Sequence, residues 1–287
     1  MAAQATVQHA SRQARPAPTS AGHDGTTPRR VKDLGQVALC VAAVALYFGI
    51  RSLTEGKPEA AIRNAGRVLE VERTLSLDHE QVLQQAVIGS RALTLAFDRI
   101  YIYGHWPVIA VTLVWLLARH RETFRRLRDA MFVSGLAGMV VFATFPVAPP
   151  RLAMLGLVDT IVENSPAYRV LQPPAFTNQY AAMPSLHVGW NLLVGLAVWA
   201  ATRRLWLRLL GLAMPAAMTV AVVLTANHYL LDVVAGAALA SCAWLACRRV
   251  TDPAGRGRRP AGSRRSPPGE RRRVTSAGAD LGHGVRR

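Results

Sequence analysis

The sequence predicts an all-α polytopic membrane protein with six transmembrane helices, and three observations predict it. Hydrophobic residues make up 51% of the 287 residues although the formal net charge is +17. Long runs nonetheless carry no Asp, Glu, Lys or Arg, so charge and apolar surface are kept apart along the chain. The Lys and Arg between those runs fall mostly on alternate sides, as the cytoplasmic loops of a membrane protein require.

Residues 1–33 are rich in Ala, Pro, Thr and Arg and are expected to form a disordered basic tail. The first charge-free run, 34–50, is 17 residues long. It starts too deep for a signal peptide and has no clear small-residue cleavage site, so it reads as a retained span. In 58–98, Ala61, Ala65, Val68, Leu69 and Val71 fall near helical spacing with Arg63, Arg67 and Glu70 between them. This predicts an amphipathic helix on the outer surface. Residues 82–97 carry one charge, Arg91, and read as a re-entrant or interfacial helix leading into the next span. Further charge-free runs place spans near 100–118, 130–148, 185–202, 207–226 and 228–247. Each approaches the roughly 20 apolar residues that cross a hydrocarbon core of about 30 Å. Pro107 and Pro215 are expected to bend helices. Residues 34–250 thus form the membrane domain, and 251–287 are a second disordered, Arg-rich tail.

With the N-terminus inside, the cytoplasmic pieces 1–33, 119–129, 203–208 and 248–287 hold 25 of the 34 Lys and Arg. The outer pieces 51–99 and 149–184 hold the other 9 and are each neutral. Both termini are therefore expected to be cytoplasmic in a cell-membrane protein. The run Arg271–Arg272–Arg273 sits among Pro, Gly and Ser without aromatics, which suits an anionic lipid surface and not a nucleic acid. Cys40, Cys242 and Cys247 all lie inside spans, and their spacing implies neither a disulfide framework nor a metal site.

Ionisable residues at membrane depth are costly and mark function. His187, His228 and Asp232 stand out. His228 and Asp232 are four residues apart, so on a helix they share a face. A carboxylate on one imidazole nitrogen fixes the tautomer and presents the other as nucleophile or base. Asn227 is placed to cap that helix. His187 follows Pro184 and Ser185, a helix start whose N–H groups and hydroxyl suit an anion. Forty-one residues separate the histidines, one span down and one back, so both return to the outer end. Arg151 follows the third span and reaches the same end, where a guanidinium suits phosphate oxygens. The set points to phosphoryl transfer through a phosphohistidine. His228 is the nucleophile, Asp232 its partner and His187 the acid for the leaving oxygen, while Arg151 and Ser185 hold the other oxygens. No metal or other cofactor is required. His105, in Tyr-Gly-His-Trp-Pro, and Tyr103 are further substrate-contact candidates at the outer end, while an interfacial aromatic belt accounts for Tyr101, Tyr103 and Trp106.

Pro-Ser-Leu-His, about forty residues, then His-Tyr-Leu-Leu-Asp resembles the type 2 phosphatidic acid phosphatase superfamily over roughly 90–247. The resemblance implies a six-helix membrane enzyme acting on lipid phosphates or phosphodiester-linked lipid head groups. The superfamily's usual Pro-Ser-Gly-His has Leu186 for its glycine here, Ala221 and Val222 occupy its Ser-Arg positions, and its Lys-x6-Arg-Pro motif is absent, with Arg151 the one substitute. Met-Pro-Ser-Leu-His and Asn-His-Tyr-x-x-Asp look more like the inositolphosphotransferase branch, which contains inositol phosphorylceramide synthase. That branch implies head-group transfer between phospholipids or sphingolipids, with lipid phosphate hydrolysis (phosphatidic acid or polyprenyl diphosphate) second. Two rival classes use the same residues. A metal-dependent hydrolase would bind metal through His187, His228 and Asp232. A transporter would relay protons through them, with inverted repeats that are not found.

Overall fold

The structure is a computed structural model that describes residues 29–53, 58–154, 156–165 and 178–251. Eleven helices are described: α1 (Arg29–Leu53), α2 (Pro58–Thr74), α3 (Glu80–Ile88), α4 (Arg91–Tyr103), α5 (Trp106–Arg119), α6 (Arg121–Thr144), α7 (Pro150–Ala153), α8 (Thr160–Asn164), α9 (Leu186–Ala201), α10 (Leu205–Leu224) and α11 (Leu230–Thr251). The only extended pairing among the described residues is a single bridge between Val147 and Ala181. The tails read as disordered lie outside the described residues, except that α1 begins at Arg29 and α11 runs to Thr251.

Three helices are long and apolar enough to cross a membrane: α6, α10 and Leu230–Arg248 of α11. The α4–α5 pair makes a fourth if its two halves, bent by 43°, are one span. Asp33–Gly49 in α1 and the 16-residue α9 are apolar but shorter. By length and composition the described residues thus supply three or four spans, and the helices fit a membrane protein.

Centrally, α9 packs against α6, α10 and α11. Lipid tails are as apolar as Leu, so close packing and not burial holds such helices together, and small residues permit it. A Cβ on Gly195 would lie 2.4 Å from the carbonyl oxygen of Gly211, and one on Gly189 would lie 2.8 Å from that of Gly236. These contacts bring α9 against α10 and α11 backbone to backbone. At the other end of α6, Arg126 donates to the Trp244 carbonyl at 2.8 Å and lies 3.7 Å over its ring. Arg121 pairs with Asp33 and Arg128 bonds Gln36, tying α6 to α1, while Asp129 holds the Arg128 guanidinium from within α6.

The span predicted near 100–118 is broken. α4 stops at Tyr103 and α5 starts at Trp106. Pro107 therefore sits in the first turn of α5, where its missing N–H costs nothing, and not in a helix interior. The break leaves His105 as the N-cap residue of α5. Pro215 does lie inside α10. Most of the piece placed between spans at 119–129 is helical, since α6 begins at Arg121.

α2 is amphipathic as predicted, but its buried face is Ala61, Ala65, Val68, Leu69 and Glu72, while Val71 is 45% exposed. Asn64 donates to the Pro146 carbonyl at 2.9 Å. The Gln84 amide on α3 bonds both the N–H and the carbonyl of Val158, each at 2.9 Å. α2 and α3 thus brace the segment that carries α7 and α8.

Candidate active site

α10 ends at Leu224, and Ala226 turns the chain with φ 52°. The N–H groups of Asn227 and His228 both donate to the Val222 carbonyl, at 3.0 and 3.1 Å. This fixes His228 two residues before α11. Its Nδ1 lies 2.8 Å from the Ala182 carbonyl oxygen and 3.5 Å from Asp232 Oδ2. A carbonyl only accepts, so Nδ1 carries the proton and Nε2 keeps the lone pair. The backbone carbonyl is thus the closer partner of the ring.

Asp232 is fully buried, and its Oδ2 accepts the Tyr229 N–H at 2.9 Å, so it also caps α11. Asn227, expected as that cap, instead donates to the carbonyl and hydroxyl of Thr225 and accepts from Arg151. The next two N–H groups of the first turn go to acids from distant helices. Leu230 donates to Glu80 Oε1 at 3.0 Å and Leu231 to Glu72 Oε1 at 2.7 Å. The sequence reading missed both. One signal was available: Glu72 continues the helical spacing of Ala61, Ala65 and Val68, an acid on an apolar stripe.

His187 lies in the first turn of α9. Ser185 caps that helix, its hydroxyl accepting from Val188 N–H at 3.5 Å, and its own N–H donates to the Asp232 carbonyl at 3.0 Å. The Ser185 hydroxyl and N–H are therefore both engaged within the fold. The bond also ties the start of α9 to α11. A Cβ on Gly236 would lie 2.1 Å from the Ser185 carbonyl oxygen, so glycine is needed there for the two helix starts to meet. The result is a His187–His228 ring separation of 5.8 Å.

His187 stacks on Tyr101 (4.5 Å, 22°) and packs at a tilt against His105 (4.3 Å, 36°). Asn191 Nδ2 donates to the His187 carbonyl at 2.9 Å and lies 3.2 Å from His105 Nδ1. The carbonyl requires the amide NH2 on that side, so His105 Nδ1 accepts. His105 also stacks on Trp190 at 5.9 Å. Tyr101 and Trp106, read as an interfacial belt, pack inward: Tyr101 is buried, and Trp106 packs edge-on to Trp190.

One pocket is lined by His228, His187, His105, Arg151 and Asn227, with Tyr47, Tyr101, Trp106, Asn178 and Gln179. Arg151 is the one Lys or Arg among these described residues. Its Nη1 donates to Asn227 Oδ1 at 2.6 Å, and its Nε pairs with Asp159 Oδ2 at 3.0 Å. Ser185 is buried beside this pocket and does not line it, and Tyr103 is 54% exposed and outside it. A second cavity of about 500 Å³, almost wholly apolar, lies between α1, α5 and α6 and shares Tyr47 and Trp106 with the first. Among the described residues, no group of three or more His, Cys, Asp or Glu side chains is arranged to hold a metal ion.

An all-helical bundle with membrane-type helices that gathers His187, Arg151 and the buried His228 and Asp232 at one end defines a class of membrane enzyme. The chain belongs to the PAP2 superfamily, whose family model matches residues 66–246. Members are phosphatases or phosphotransferases, and the match begins early enough to include Glu72 and Glu80. Comparison with curated proteins and with solved structures returns no match.

Proposed function

We propose that the chain is a six-span membrane phosphotransferase that moves a phosphoryl-linked head group between lipids through a phosphohistidine on His228. In this it is similar to the inositolphosphotransferase branch of its superfamily. The observation that carries the reading is the 2.8 Å contact of His228 Nδ1 with the Ala182 carbonyl, which makes Nε2 the nucleophilic nitrogen of a pocket it shares with His187 and Arg151. His228 Nε2 attacks phosphorus, the bond to the lipid's leaving oxygen breaks, and that oxygen takes a proton from His187. An acceptor hydroxyl then returns a proton to His187 and attacks the same phosphorus, and the P–N bond breaks. Asp232 stabilises the imidazolium character of His228, and Arg151 offers the phosphoryl oxygens the N–H groups not used by Asn227 and Asp159.

An amphiphilic substrate is supported by the apolar cavity that adjoins the site at Tyr47 and Trp106. Ala221 and Val222, both fully buried, give the site no cation of the kind classical phosphatases carry there, which favours transfer over simple hydrolysis. Six spans result if α1 and α9 cross with the others. The concentration of 25 of 34 Lys and Arg in the pieces 1–33, 119–129, 203–208 and 248–287 supports cytoplasmic termini and an extracytoplasmic site.

Purified protein incubated with a labelled phospholipid, with and without alcohol acceptors, tests the reading. Transfer predicts a new phosphodiester lipid that requires the acceptor. Release to water of the phosphorylated head group, or of free phosphate from a phosphate monoester, without a new lipid assigns hydrolysis instead.

A further inference from the structure

We infer that Glu72 and Glu80 are positioning residues for His228: their paired carboxyls share a proton, clamp the first turn of α11 and so set where the imidazole stands. The inference rests on His228 being the nucleophile. Both side chains are fully buried, one from α2 and one from α3. Their Oε1 atoms hold the Leu231 and Leu230 N–H groups at 2.7 and 3.0 Å, two and three residues after His228. With Asp232 on the Tyr229 N–H at 2.9 Å, three successive N–H groups each meet a carboxyl. A helix start leaves its first N–H groups unpaired and ordinarily one side chain serves them, so three acids from three helices concentrate unusual negative charge on this turn.

The two carboxyls hold successive N–H groups of one turn, and among the described residues the buried Oε2 of each has no hydrogen-bond partner. Three carboxylates cannot all ionise in so small an apolar space, and a proton held between two of them resolves the conflict. Burial first, then the Glu80 and Asp232 carboxylates, push the Glu72 carboxyl up to about 8, against the pull of the Leu231 N–H. The groups that face it are Glu80 from α3, Asp232 from α11 and the buried Tyr229, with His228 just beyond Asp232. Arg73 on α2 pairs with Asp78, and Arg151 on α7 with Asp159. Loss of the shared proton leaves the carboxylates to repel one another. α2 and α3 then loosen from α11, and His228 shifts from its productive place.

The test compares wild type, Glu72→Gln and Glu72→Ala. Gln accepts from Leu231 and donates to Glu80, so it reproduces the protonated acid with nothing to titrate. The expected wild-type kcat profile falls through an alkaline limb near pH 8. E72A loses about a hundredfold in kcat, the cost of a misplaced reacting group, with little change in KM. E72Q recovers that turnover, and its limb moves upward by a pH unit or more. The ¹⁵N shift of labelled His228 is followed alongside, because it needs no turnover. It steps near pH 8 in the wild type and not in E72Q. An E72Q limb and ¹⁵N step identical to wild type overturn the inference, even if E72A does not fold. If the step behaves as expected but no lipid is turned over, the pair stands and the function above falls.

Discussion

The substitution that probes the geometry most sharply is Gly236→Ala, outside the lining of the His228 pocket. Its new Cβ would meet the Ser185 carbonyl oxygen at 2.1 Å and carbon at 2.8 Å, whereas real Cβ contacts stay above 3.0 Å. α11 and the start of α9 must therefore separate by about 0.9 Å at this point, the difference between those two distances. The obstacle is backbone, so no rotamer change relieves it. The Ser185–Asp232 bond, 3.0 Å long, is stretched out of range, at about 1 kcal/mol. Overpacking costs a further ~1–3 kcal/mol. His187 rides on one of the separated helices and His228 precedes the other, so a shift near 1 Å lowers kcat by about a hundredfold. The assay is lipid turnover in detergent well below the Tm, with the Tm measured separately so that misplacement is not confused with unfolding. Gly66→Ala is the control: a Cβ there meets nothing within 4 Å, so turnover is unchanged and stability rises by up to about 1 kcal/mol. A folded G236A protein with wild-type kcat refutes the reasoning.

Arg151→Ala is expected to lower kcat/KM by about 10- to 100-fold, and Arg151→Lys to recover little, because a point ammonium cannot meet Asn227, Asp159 and a phosphate together. Steady-state kinetics on both variants check this; wild-type kcat/KM in R151A reassigns the arginine to structure alone. The Glu72 proton also predicts a pH-dependent stability. The folded protein keeps that proton up to about pH 8, while an unperturbed glutamate loses it near 4.5. The contribution is thus fully present below about 4.5 and lost as pH rises through about 8. Melting curves should show the wild-type Tm declining more than that of E72Q over this window, and parallel declines contradict the shared proton.

Much of the bundle was legible because apolar runs and charge breaks are local signals. α6, α10 and α11 overlap the spans read at 130–148, 207–226 and 228–247. The break between α4 and α5 was not legible. Gly104, His105, Trp106 and Pro107 lie within an uncharged run, and hydropathy does not see that a helix has stopped and restarted. The convergence of His187, His228 and Arg151 was readable from topology, since each falls at the same end of a span. Asp232 was readable from its i+4 spacing, although His228 sits just outside the helix that carries Asp232. The roles of Glu72 and Glu80 were not, although Glu72 stands out as an acid on the apolar stripe of α2. Their partners lie 159 and 150 residues away, and no local pattern says which N–H a distant acid will reach. The tie from Ser185 to α11 was illegible for a similar reason, because its N–H reaches the Asp232 carbonyl on another helix.

The central claim is that His228 carries the phosphoryl group. Rapid alkaline quenching of turnover on a phosphorus-labelled lipid, followed by peptide mapping, tests it directly. An acid-labile, alkali-stable label on His228 in the wild type, absent in His228→Ala and accumulating or slow to form in His187→Ala, is the predicted result. An H228A protein that still turns over lipid, or active wild type whose label maps to another residue, contradicts it.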